Sequence, residues 1–83
     1  MLAYTVQVTY TYGGSSLLGV ARSAATAKAV AQSHRDKVGL VGSAGLDWEA
    51  VAGPYEAQPN LQREWAAYYR SVEYVIGEWE VLS

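Results

Sequence analysis

The 83-residue chain predicts an α+β fold, an antiparallel sheet of four to five strands with one helix packed on a face, in the order β-β-α-β-β-β. Three observations carry that prediction. The N-terminal run "AYTVQVTYTY" alternates at period two, and a segment after Ser23 places its apolar residues at helical spacing. The stretch "WAAYYRSVEYVIGEW", residues 65–79, holds five of the ten aromatic residues in a chain without phenylalanine, a density that suits strands.

Tyr4, Val6, Val8, Tyr10 and Tyr12 alternate with Thr5, Gln7, Thr9 and Thr11, as expected of a half-buried strand. "GGSS" at 13–16 supplies the conformational freedom of a tight connection, and "LLGV" returns as a second strand. Ser23 is placed to cap a helix by accepting from a backbone N–H of the first turn. Within that helix Ala27, Val30, Ala31, His34 and Val38 form one apolar stripe, Lys28, Gln32 and Arg35 a polar one, and Gly39 suits the position after the helix end. Arg35 and Lys37 complement the helix dipole. "LVGSAG" reads as a loop, "LDWEAVA" as a strand, and "GPYEAQPN" as an extended two-proline connection.

Residues 61–72 carry two patterns. Leu61, Trp65, Tyr68, Tyr69 and Val72 have helical spacing behind a capping Asn60, while Trp65, Ala67 and Tyr69 alternate as a strand does. Continuation into the strand-like "EYVIGEWEVL" favours a hairpin that turns near residues 71–73. Tyr74 and Ile76 share one phase and Trp79 and Val81 the other, so a β-bulge is expected at Gly77. On this reading Trp65, Tyr69 and Trp79 are buried, and Tyr68 and Tyr74, with Arg70 between them, face a partner.

Eighty-three residues make one domain, 1–83, of a size that buries only somewhat more than about 60% of its unfolded surface. Without cysteine the chain has no disulfide and no thiolate metal site, so core packing, oligomerisation or both must stabilise it. No apolar run reaches the roughly 18 residues of a membrane span, and the N-terminus lacks the pattern of a secretory signal, which predicts a cytoplasmic protein. The net charge of −2 conceals an asymmetry. Up to Gly45, Arg22, Lys28, Arg35 and Lys37 face only Asp36; thereafter Arg63 and Arg70 face Asp47 and six glutamates. Two small basic sets argue against nucleic-acid binding and fit a solvated helix face beside an acidic sheet face.

Catalytic signals are weak. His34 sits on the apolar stripe, where a packed histidine is the simpler reading, and it has no metal-ligating partner set. No hydroxyl is fixed beside a base as nucleophilic catalysis requires. Glu78 and Glu80, two apart on a strand, place carboxylates about 6.5–7 Å apart on one face, near the lower limit for an inverting glycosidase; a solvated sheet face is the stronger reading of the pair. "YGGSS" can form an anion nest but reads more simply as a hairpin turn. The sequence therefore predicts no enzyme, no catalytic or metal residues and no cofactor. Buried Tyr and Trp each require a hydrogen-bond partner, so a core set built without phenylalanine implies that many rings sit at a boundary. Such rings suit subunit interfaces and the stacking of flat ligands. With arginines to grip phosphate, Arg22, Tyr68, Arg70 and Tyr74 are the candidate ligand-binding residues.

The combination "VQVTYTY", "SSLLGVARSAATAKAVAQSH", "LDWEAV" and "EYVIGEWEVL" resembles a set of small bacteriophage proteins, especially of phages of actinobacteria. The matching positions are Leu18 to Val20, Ser23, Ala27 and Ala31, then Tyr74, Ile76, Glu78, Trp79, Glu80 and Val81; Ala21 departs from the aromatic usual in that set. The resemblance implies a fold and a viral origin and carries over no catalytic residue. It leads to the expectation of a homo-oligomer that counters host defence by sequestering a nucleotide second messenger in inter-subunit pockets. The alternative is a protein–protein module that inhibits a host enzyme through a sheet edge or aromatic patch.

Overall fold

A computed structural model describes residues 1–11, 13–38, 46–51, 60–69 and 72–81, with Val38 and Tyr69 as main chain only. Five strands, β1 (Leu2–Tyr10), β2 (Ser15–Ala21), β3 (Glu49–Ala50), β4 (Leu61–Tyr69) and β5 (Val72–Glu80), form one antiparallel sheet, and one helix, α1 (Ala24–Val38), follows β2. The fold is thus α+β in the order the sequence predicts. Across the sheet the strands lie β2-β1-β5-β4-β3, so the C-terminal β5 is the middle strand.

The first hairpin turns where the glycines stand. The Gly13 N–H donates to the Tyr10 carbonyl and the Tyr10 N–H to the Gly14 carbonyl, each at 3.1 Å. Gly13 and Gly14 have φ of 121° and 80°, a region that side chains other than glycine disfavour. Ser23 caps α1: the Thr26 N–H donates to Ser23 Oγ at 3.1 Å. Ala27 and Ala31 are fully buried against Val6, Val8, Tyr74 and Ile76, the small alanines letting the helix lie close on the sheet. Leu46 and Trp48 pack onto the same core, and the Leu46 N–H donates to Gln32 Oε1 at 3.0 Å, tying the segment before β3 to the helix. Arg35 departs from the expected polar stripe and is only 2% exposed. It stands four residues beyond Ala31 on the same helix face, and its guanidinium pairs with Asp36 at 3.2 Å.

Residues 61–69 are strand, not helix, and Tyr69 pairs directly with Val72. The hairpin therefore closes before residue 72, and Val72 and Glu73, expected in the turn, already belong to β5. The bulge expected at Gly77 is absent: β5 pairs with β1 without interruption from Leu2 opposite Glu80 to Tyr10 opposite Val72. The change of apolar phase comes instead from the position of β5 at the centre of the sheet. Tyr74 and Ile76 face the helix, while Trp79 lies on the other face over Gly77, donating from Nε1 to Thr5 Oγ1 at 2.8 Å. A Cβ at residue 77 would stand 2.7 Å from that nitrogen, so glycine is needed there to seat the indole. Register irregularities occur elsewhere, at Leu18 in β2 and beside Gln62 in β4. Tyr12, Gly39, the expected loop at 40–45, the expected two-proline connection, Arg70 and Ser71 lie outside the described residues.

Candidate binding surface

Helix α1 covers one face of β2, β1 and β5. Among the described residues no helix or strand covers the other face, and cross-strand register determines what it displays. Its β2–β1 half is uncharged, with Ser15, Leu17 and Val20 beside Thr5, Gln7 and Thr9. Its β5–β4–β3 half is acidic: Glu73 lies opposite Tyr68, Glu64 opposite Gly77, and Glu49 opposite Ala66.

Tyr68 projects from this acidic half and is 69% exposed. Its pKa is raised above the ordinary tyrosine value, first because its hydroxyl donates to the Glu73 carboxylate, then through the negative charge of Glu73. Partial burial and Glu49 act in the same direction. Glu64 is also raised, chiefly by burial and secondarily by Glu73. In both groups the negative charge of Glu73 contributes to the shift, behind a hydrogen bond in Tyr68 and behind burial in Glu64. A cation placed there would relieve both, and the exposed phenol ring adds a surface on which a guanidinium or ammonium can stack.

Two further clusters lie on the helix side. At one end of the sheet Tyr4 Oη donates to Glu78 Oε2 at 2.8 Å, and Arg63 Nε stands 4.0 Å from Glu78 Oε1. Glu78 is therefore no solvated carboxylate: its side chain is 12% exposed, whereas Glu80 is open and pairs with the N-terminal ammonium at 3.4 Å. The hydrogen bond to Glu78 is the main reason the Tyr4 pKa is raised, with burial second. A pocket of about 580 Å³ beside this pair is lined by Met1, Leu2, Tyr4 and Arg22. Nearer the first hairpin, His34 bridges two hydroxyls, with Nδ1 2.9 Å from Tyr74 Oη and Nε2 3.4 Å from Tyr10 Oη. Its ring meets that of Tyr74 edge-on at 5.6 Å. This is a packed histidine. Among the described residues no group of three or more His, Cys, Asp or Glu is placed to hold a metal ion, and no helix is long and apolar enough to cross a membrane.

Of the residues singled out from sequence, the three that are described, Arg22, Tyr68 and Tyr74, are not brought together. Arg22 lies at the sheet end that carries Tyr4, and Tyr68 near the opposite end on the opposite face. Tyr74, expected to face a partner beside Tyr68, is fully buried under the helix, because adjacent register positions on paired strands point to opposite faces. Arg70 lies outside the described residues. Trp65 and Trp79, expected in one buried set, occupy opposite faces, Trp65 within 6.0 Å of Lys28 Nζ. Sequence reasoning missed the co-facial trio Glu49, Glu64 and Glu73. The acidic C-terminal half was its signal, but the trio exists only once register is known.

No protein-family model, curated protein or solved structure matches the chain.

Proposed function

We propose that the protein is a non-enzymatic binding module whose uncovered sheet face takes a basic segment of a protein partner. The observation that carries this reading is Tyr68, 69% exposed among Glu49, Glu64 and Glu73. Charge complementarity of this kind steers encounter and sets specificity, and an aromatic anchor within a polar rim is a usual centre of binding energy. A nucleotide, being anionic, would be repelled there. The resemblance to bacteriophage proteins makes a host protein the occupant and the blocking of host defence the role.

The test is titration of the full chain with an arginine-rich and a glutamate-rich peptide of equal length, followed by amide chemical shifts. The reading expects the basic peptide alone to shift residues on β3, β4 and β5, more weakly as salt is raised. Tyr68→Ala should weaken that binding about tenfold, the equivalent of roughly 1.4 kcal/mol. Equal binding of both peptides, or shifts confined to α1, would overturn it. A nucleotide that raises the melting temperature and shifts residues around Arg22 would restore the sequestration reading.

A further inference from the structure

We infer that two copies of the chain join edge to edge through β2, continuing the sheet across a two-fold axis. The two sheet edges differ sharply. β3 has two residues, one of them Glu49, and so offers a short, charged edge. β2 has seven, Ser15–Ala21, with no charge and no proline, the devices by which soluble proteins protect a long edge strand. Its register irregularity at Leu18 is the one blunting feature it carries.

Both sides of this edge are apolar. On the uncovered face Leu17 and Val20 are 58% and 63% exposed. On the helix face an open groove of about 480 Å³ runs between β2 and α1, with Leu18 and Val30 among its lining residues. The side of the molecule is therefore two layers deep, a strand and a helix, and a single extended peptide would fill only the strand layer. A second copy presents both. Antiparallel pairing of the two β2 edges sets strand against strand and helix against helix across the joined grooves.

Self-association about a two-fold axis requires that no like charges meet near the axis. The residues there, Leu17, Leu18, Gly19 and Val30, are neutral, and the nearest charged residues, Arg22 and Lys37, stand at the two ends. Seven strand residues span roughly 23 Å, and a helix on a sheet is about 20 Å deep. As a flat projection that is already more than half of the about 800 Å² per partner that a standard interface buries, before side-chain relief is counted. The neutral centre of the contact also answers the thin stability margin of so short a chain.

The experiment is light scattering of the full chain across a concentration series, paired with amide hydrogen exchange. The dimer predicts twice the 9.0 kDa monomer mass and protection of every β2 amide, including those that point away from β1. Leu17→Lys combined with Val20→Lys alters only exposed side chains; it should give a folded monomer by circular dichroism in which the outward amides exchange freely. A wild-type protein that stays monomeric, or a dimer whose outward β2 amides exchange freely, would overturn the inference. So would a dimer that survives the double substitution. The exchange measurement on wild-type protein decides the matter even where the variant fails to fold. Because the acidic face is not in this contact, loss of peptide binding there leaves the dimer unaffected, and the two failures are separable.

Discussion

Gly77→Ala tests whether the centre of the sheet is built around one indole. The added methyl would stand 2.7 Å from Trp79 Nε1, 3.1 Å from Leu61 Cδ1 and 3.2 Å from Thr5 Oγ1. The first distance is too short to keep, and the rigid indole must lift, breaking its 2.8 Å bond to Thr5. Overpacking of this kind costs about 1–3 kcal/mol and the lost hydrogen bond about 1 kcal/mol. The reduced freedom of the unfolded chain returns about 0.4–1 kcal/mol. The net expectation is a loss of about 2 kcal/mol, or roughly 8–16 °C in melting temperature for a domain of this size. Urea denaturation followed by tryptophan fluorescence measures it. In a Trp79→Leu background the nearest obstacle is gone, so the same Gly77→Ala change should cost at least about 1 kcal/mol less, a coupling that a double-mutant cycle resolves. Unchanged or increased stability of the single variant, or an equal cost in both backgrounds, would refute the close-approach account of Gly77.

Other outcomes follow from the same structure. Tyr74→Phe keeps the buried ring but removes the hydroxyl bonded to His34 Nδ1, and should lower stability by about 1–2 kcal/mol in urea melts. Alkaline titration by ultraviolet difference absorbance should show Tyr4 and Tyr68 ionising above the ordinary tyrosine value, because both are raised by hydrogen bonds to carboxylates. With folded pKa values above unfolded ones, their contribution to stability is complete below the unfolded tyrosine pKa and is lost as pH rises through the folded value; Tyr4→Phe removes the first of the two late steps. Glu64 is likewise raised, by burial and then Glu73, so its charged form weighs against folding at neutral pH. Glu64→Gln should therefore raise the melting temperature at pH above the folded Glu64 pKa, the advantage shrinking as pH falls and vanishing below the unfolded carboxylate pKa.

How legible each element was depended on how many faces it buries. β1 is buried on one face, so its period of two could be read directly, and the cap at Ser23 and the buried Ala27 and Ala31 could be read from helical spacing in the same way. β5 is central and carries apolar residues on both faces, Tyr74 and Ile76 under the helix and Trp79 lying over Gly77 on the other. A strand with apolar side chains on both faces has no single polar phase, and the sequence pattern imitates a bulge. Arg35 misled for a related reason: a charged residue reads as exposed by default, yet here Asp36 pairs with it from the next position in the chain. The site was hardest because register is a property of two strands at once. Tyr4 and Glu78 are 74 positions apart, and nothing local to either announces the hydrogen bond. Tyr68 and Tyr74 lie close in sequence across a hairpin, yet a register in which Tyr69 meets Val72 sends them to opposite faces.

The order β2-β1-β5-β4-β3 also decides how the two proposed contacts bear on each other. The neutral edge and the acidic patch occupy opposite sides of the sheet, so a partner on β4 would not obstruct a second copy on β2. Joined through β2, two copies would place their β4 strands seven strand spacings apart, roughly 34 Å, with both acidic patches on the same broad face. A partner with two basic segments able to span that distance would gain avidity without any new contact, whereas a single segment would bind monomer and dimer alike. The Leu17→Lys and Val20→Lys monomer should then bind a single basic peptide as well as wild type does, and lose only the enhancement seen with a tandem peptide. Equal enhancement in both proteins would mean that the tandem peptide rebinds within one patch, and that the dimer contributes nothing to recognition.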